Sequence, residues 1–298
     1  MKGIPLYEEI NQLHEMTGSA IRSPHPLFHC FEMDQTNDLQ TNQVGPHRAS
    51  FYTLAISFGT EALAYTLGKH HYDPAQNFIL CVSPGQIVEW KKGGAWRGYC
   101  IFFKPEFLQI SEQLNLVVQF PFFSLLEEQL LSLDEGSFRD FKEILEQILK
   151  EQKLEKKYQW EVIKSLFQSL LWKVRRQHEA HLPTPPAHPR HLRLAAEFQL
   201  LLQAHFLTET TVEAYAKLLH LSANHLSQSI KLATGQTAKS LINQRRLEEA
   251  KYLLAYTPAS ISEIAFHLSF RESTHFSKFF KKGLGYSPQD YRQKQFDS

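Results

Sequence analysis

Between residues 211 and 280 this chain of 298 residues carries the same helix-turn-helix pattern twice. Val212 aligns with Ile261, Ala216 with Ala265, Leu219 with Leu268 and Leu221 with Phe270. One inserted residue later, Leu226 aligns with Phe276, Ile230 with Phe280, Lys231 with Lys281 and Gly235 with Gly285. A repeated supersecondary unit constrains the fold more than any single motif does. It calls for an all-α region holding both units, and two such units suit two successive major grooves of one DNA duplex.

The residues of each unit have a readable logic. Ala216 and Ala265 are small where two helices must approach closely. Leu219 with Leu221, and Leu268 with Phe270, bury the turn. Leu226 with Ile230, and Phe276 with Phe280, are i,i+4 pairs that seat each second helix on its core. The faces left over are short and polar: Asn224, Ser227 and Gln228 in the first unit, Ser273, Thr274, His275 and Lys278 in the second. Hydroxyl, amide, imidazole and ammonium groups are the donors and acceptors that read base edges. Between the units, Thr237 reads as an N-cap after Gly235, and Pro258 stops the segment. About 20 residues of helix span roughly 30 Å, close to the ~34 Å between equivalent groove faces. Arg245 and Arg246 on this helix read either as phosphate contacts or as internal ion-pair partners.

Upstream the texture changes. From Pro24 to about Phe103, short β-rich runs such as 51–58, 62–67 and 77–82 alternate with turn formers such as Gly45-Pro46 and Ser83-Pro84-Gly85, as in a small barrel or sandwich. Residues 1–20 read as a polar arm with a short helical stretch. From about Pro121 the period becomes helical, over 123–133, 137–150 and 158–176, in helices that either pack on the barrel or dimerise. The stretch 181–190 holds four prolines and reads as an extended linker. The expected architecture is an α+β chain of two domains. Residues 1–180 form a small β-barrel (about 24–105) with flanking helices (about 121–178). Residues 191–298 are all-α, with two helix-turn-helix units joined by a long helix. The charge divides along the same line. Residues 190–298 hold 14 Lys/Arg against 9 Asp/Glu, whereas residues 1–189 hold 18 against 22, so the half with the repeat is the basic half. No apolar run approaches the ~20 residues of a membrane span, and the N-terminus shows no signal-peptide core. Cys30, Cys81 and Cys100 lie far apart with no Cys-x-x-Cys, which fits a reducing cytoplasm.

The segment Ile261-Ser-Glu-Ile-Ala-Phe-His-Leu-Ser-Phe270, followed by His275-Phe-Ser-Lys-Phe-Phe-Lys-Lys-Gly-Leu-Gly-Tyr-Ser-Pro-Gln-Asp-Tyr-Arg292, resembles the DNA-binding domain of the AraC/XylS family of bacterial transcription regulators. It departs at Ser269, where the family most often has Gly, and at Ile230, where an aromatic is common. The resemblance implies double-stranded DNA as partner, RNA polymerase as a further one, and base reading from Asn224, Ser227, Gln228, Thr274, His275 and Lys278. His47-Arg48 before Phe51-Tyr52, Ser83-Pro84-Gly85-Gln86 and Gly98-Tyr99-Cys100-Ile101-Phe102-Phe103 resemble, more loosely, the cupin-like sensor barrel of many members. That implies a homodimer or a small-molecule effector. An effector pocket inside the barrel draws on His47, Tyr52, Trp90, Trp96 and Tyr99, unless these side chains simply fill the barrel.

The competing class is a metal-dependent cupin-type enzyme fused to a helical domain. His47 is followed by Arg48 and Ala49 rather than a second ligand at i+2, and Val88 stands where a ligand His would sit, so the ligand set is incomplete. No Ser/His/Asp or Cys/His grouping and no phosphate-cradling glycine motif occurs. Neither catalysis nor a cofactor is expected.

Overall fold

The computed structural model describes residues 4–36, 43–58, 63–67, 70–72, 77–92, 97–110, 113–124, 130–181 and 189–296. They fall into two compact units, within Ile4–Pro185 and Pro186–Ser298. The first unit runs β1 (Leu6–Tyr7), α1 (Ile10–Met16), β2 (Phe28–Glu32), β3 (Gln43–Ala49), β4 (Tyr52–Ser57), β5 (Leu63–Leu67), β6 (His70–Tyr72), β7 (Phe78–Val82), β8 (Val88–Lys92), β9 (Gly98–Phe103), α2 (Gln113–Gln119), β10 (Leu130–Ser132), α3 (Glu135–Gln152) and α4 (Gln159–His181). The second runs α5 (Pro189–His205), α6 (Val212–Leu218), α7 (Ala223–Thr234), α8 (Ala238–Tyr256), α9 (Ile261–His267), α10 (Ser273–Leu284) and α11 (Pro288–Phe296). Of the proline-rich stretch, residues 182–188 lie outside the described residues. Pro189 opens α5, where a missing N–H costs nothing.

The strands form two five-stranded sheets, ordered β1-β3-β8-β5-β6 and β10-β7-β4-β9-β2. The second sheet is antiparallel throughout, with Ala55 at its centre opposite Leu80 on β7 and Cys100 on β9. Successive side chains of a strand point to opposite faces. Phe31, Ala55, Leu80, Val82, Cys100 and Phe102 therefore share one face, against which Ala49, Val88 and Trp90 of the first sheet pack. Leu54, Ile56, Ile79, Cys81, Ile101 and Phe103 share the other, covered by Leu145, Ile148, Phe167, Leu170, Leu171 and Val174 of α3 and α4. Both faces being covered explains why Phe-Ile-Leu-Cys-Val of β7 and Gly-Tyr-Cys-Ile-Phe-Phe of β9 are buried along their whole length. The expected β-rich part is thus built of two packed sheets, and α3 and α4 pack on one of them. Cys30, Cys81 and Cys100 are free and buried, and burial raises all three thiols, which keeps them protonated.

Three local expectations are corrected. Gly45-Pro46 does not break the chain but lies inside β3. The register against β8 shifts between Val44 and His47, and such a bulge accommodates a residue with no N–H to donate. Leu130–Ser132, inside the stretch expected to be helical, is a strand that pairs with Phe78–Leu80, with Leu131 buried. Its three residues carry no periodicity that separates strand from helix, so sheet pairing decides. The N-terminal arm is no free polar tail either. Its helix α1 buries Ile10, Leu13 and His14, and β1 pairs in parallel with β3.

His14 on α1 meets His29 on β2, Nε2 to Nδ1 at 2.9 Å, between the rings of Phe31 and Phe102. One ring must donate and the other accept, so the doubly protonated pair would set N–H against N–H. Burial, with the nearby Arg22 charge, lowers His14 to about 4, and burial, with His14, lowers His29 to about 3. In the unfolded chain both titrate near 6.5. The unfolded state therefore binds more protons between these values, and stability is full above pH ~6.5 and falls as pH drops through that window. The expected slope reaches about 1.4 kcal/mol per pH unit for each histidine. All four tryptophans (Trp90, Trp96, Trp160 and Trp172) precede residue 186, so urea unfolding read by their fluorescence follows this unit alone. The midpoint should fall steadily from pH 7 to pH 4.5, and H14Q should flatten the dependence.

Candidate nucleic-acid interface

Local chemistry builds the two helix-turn-helix units. The N-cap oxygens of Thr211, Ser222, Thr237 and Ser260 accept from the backbone N–H of Ala214, His225, Ser240 and Glu263. Glu263 closes a capping box on Ser260, and Ser287 with Asp290 exchanges the same two bonds ahead of α11. The helix pair α6–α7 turns through His220 and the pair α9–α10 through Ser269, both left-handed, with φ of 54° and 59°. Leu221 N–H then bonds Ala216 O at 2.8 Å, and Phe270 N–H bonds Ala265 O at 2.9 Å, ending each first helix in the same way. Ser269 thus adopts the conformation for which glycine is usual. Its hydroxyl offsets part of the strain by donating to the carbonyl of Leu207. The second turn, 268–272, is longer by Arg271, the inserted residue. Gly235 and Gly285, with φ of 71° and 83°, close α7 and α10 through bonds to the carbonyls of Lys231 and Lys281.

Within the units Ala216, Ala265, Leu226, Ile230, Phe276 and Phe280 are buried, which leaves one outward stripe on each second helix. On α7 it exposes Asn224 and Gln228, with Ser227 half-buried. On α10 it exposes Thr274, His275 and Lys278, with Ser273 half-buried. Thr274 donates to Glu272 at 3.0 Å, so it is already engaged by a side chain of the turn. The sequence reading passed over the exposed cations beside these residues: Lys231 on α7, and Arg271, Lys281 and Lys282 around α10. The signal was visible as a run of basic residues. It makes the second unit the more cationic of the two.

Arg245 and Arg246, left open by the sequence, point inward at 7% and 6% exposure. Arg245 pairs with Glu249 at 3.1 Å and lies 3.8 Å over the ring of Phe206. Arg246 donates to the carbonyl of Leu268 at 2.5 Å and stacks over Phe270 at 4.1 Å, and burial lowers its pKa. They are internal fasteners, not phosphate contacts. Arg292 is another: it donates to the carbonyls of Leu254 and Ala259, tying α11 to the end of α8.

In the first unit a cavity of about 110 Å³ lies between the sheets under α1. His47 and Trp90 line it. Tyr52 and Tyr99, expected there, point to the opposite face of the sheet: strand parity places Phe51 and Cys100 at the cavity and sends these rings to the helices. Trp96 lies outside the described residues.

Residues 215–294 match the family described as helix-turn-helix domain. Among curated proteins, the chain is 38% identical over 92 residues to the HTH-type transcriptional activator RhaS of Escherichia coli O157:H7 (strain EC4115 / EHEC), across 31% of this chain and 33% of that one. RhaS of Escherichia coli O139:H28 (strain E24377A / ETEC) is 37% identical over 92 residues, with the same coverage. The match spans about a third of the length of these relatives. Among solved structures, the C-terminal domain of AraT, a response regulator from Geobacillus stearothermophilus, is 33% identical over 34% of this chain and 84% of that one, with a TM-score of 0.33. ToxT from Vibrio cholerae is 13% identical over 89% of this chain and 98% of that one, with a TM-score of 0.36.

Three substitutions test the construction of the units. R246A removes the donor to the Leu268 carbonyl and should destabilise the second unit by about 1.5–3 kcal/mol, read as faster amide hydrogen exchange in α9 and α10. H220G relieves left-handed strain at an exposed position and should stabilise by up to about 1 kcal/mol. S269G should gain less, because it forfeits the bond to Leu207.

Proposed function

We propose that this chain is a sequence-specific DNA-binding regulator of transcription, in which α7 and α10 read successive major grooves. The observation that carries this reading is one domain with two helix-turn-helix units, each presenting an exposed polar stripe, joined by a rigid α8 of 19 residues. At ~1.5 Å per residue α8 spans ~28 Å, matched to one turn of DNA. Asn224, Ser227, Gln228, Ser273, Thr274, His275 and Lys278 are the base-reading set. Lys231, Arg271, Lys281 and Lys282 supply salt-sensitive attraction to phosphates. The domain division at 181–190 separates this reader from a sensor unit. An effector in the cavity shifts DNA occupancy by favouring one conformational state. RNA polymerase is the downstream partner, and a homodimer through the outward side of α4, where Val162 and Trp172 are exposed, is part of the same reading. Among the described residues no helix is long and apolar enough to cross a membrane, and three free buried cysteines suit a reducing cytoplasm.

Selection of the full chain on random DNA pools at about 150 mM salt tests this reading. The expected outcome is one motif with two blocks about 10 bp apart. Failure to enrich any motif, with or without small-molecule extracts, would remove it. Q228A should relax the preference at one position of one block and K278A at one position of the other, each at a cost of about 1–3 kcal/mol. Binding isotherms on the selected site and on single-base variants check both.

A further inference from the structure

We infer that the cavity between the sheets takes an uncharged single-ring molecule with one hydrogen-bond donor, of the phenol class, seated with its donor on Nε2 of His47. The inference rests on reading the β-rich unit as a sensor. Among the described residues that line the cavity none is Lys, Arg, Asp or Glu, and the rings of Phe31, Phe51, Trp90 and Phe102 form much of its wall. An anion would lose its hydration there and meet no counter-charge.

Most polar groups at the cavity are already engaged. His14 is bonded to His29, and the Thr17 hydroxyl donates to the carbonyl of His14 at 2.9 Å. The Ser83 hydroxyl donates to the carbonyl of Phe123, and Gln86 Oε1 accepts from Ser83 N–H at 2.6 Å. His47 differs. Its Nδ1 lies 3.0 Å from the carbonyl of Gly45, which can only accept, so Nδ1 carries the proton. The ring is 4% exposed, and burial lowers its pKa against the opposing effect of that carbonyl, which keeps it neutral. Nε2 is therefore a lone acceptor, with no partner among the described residues. A ligand hydroxyl or N–H satisfies it in place of water.

Size and stoichiometry narrow the class. A cavity of about 110 Å³ is of the order that holds one benzene ring. A sugar brings several hydroxyls to a lining that is mostly apolar, and each unmet polar group is costly when buried.

The test titrates the full-length protein at pH 7.5 with phenol, toluene, benzoate and glucose, read by tryptophan fluorescence and by the melting temperature of the tryptophan-bearing unit. Phenol should bind about 3- to 10-fold more tightly than toluene, with benzoate and glucose weaker than both. H47A should weaken phenol by about the same factor and leave toluene unchanged, while H47Q, which keeps an acceptor, should restore phenol. Unliganded melting of each variant establishes that it is folded. Benzoate or glucose binding as well as phenol overturns the inference. So does H47A weakening phenol and toluene alike, or no phenol binding up to its solubility. Affinity for the selected DNA site with and without saturating phenol separates the two readings. Phenol bound through His47 with DNA affinity unchanged supports the ligand class and removes the gating.

Discussion

The helical half hangs on two adjacent guanidinium groups at the middle of α8. One side of the helix stacks Arg245 on Phe206 at the end of α5, with Glu249 one turn on to balance its charge. The next residue, Arg246, reaches the turn of the other unit, bonding the Leu268 carbonyl and covering Phe270. A buried cation without such partners costs several kcal/mol, so both units are held where these contacts can be made. Leu241, Ile242, Ala250, Leu253 and Leu254 are buried around the same helix. A helix packed on most sides is a strut rather than a tether, and this fixes the spacing of the two helix-turn-helix units.

Given that strut, the repeat is maintained by short-range bonds. Hydroxyl N-caps start the helices, and left-handed residues end them: His220 and Ser269 in the turns, Gly235 and Gly285 after the second helices. The units are nevertheless not equivalent. The extra Arg271, together with Lys278, Lys281 and Lys282, makes α10 the more cationic second helix, while α7 offers mainly amide groups and Lys231.

In the β-rich half, the alternation of side chains across one sheet produces two environments from the same strands. One face is a dry core with α3 and α4. The other, roofed by α1, leaves a space lined by His47, whose Nε2 has no partner among the described residues. The neutral His14–His29 pair holds that roof to β2, so the cavity wall and the stability of the unit respond to the same desolvation.

What was legible in the sequence was local. The helix-turn-helix repeat, the caps at Thr237 and Gly235, the stop at Pro258 and the strands at β4, β7 and β9 each follow from residues within a few positions of one another, where propensity, capping and periodicity operate. The polar stripe of α7 and α10 was legible for the same reason, since i,i+4 burial of one face leaves the other outward. Tertiary structure alone decided the inward fate of Arg245 and Arg246, because it depended on Phe206 and Leu268, far away in sequence. It alone turned Tyr52 and Tyr99 away from the cavity, since a strand reads equally well with either face inward until its neighbours set the register. It also made Leu130–Ser132 a strand and Pro46 a bulge, because pairing with β7 and β8 supplies what three residues, or one proline, do not encode.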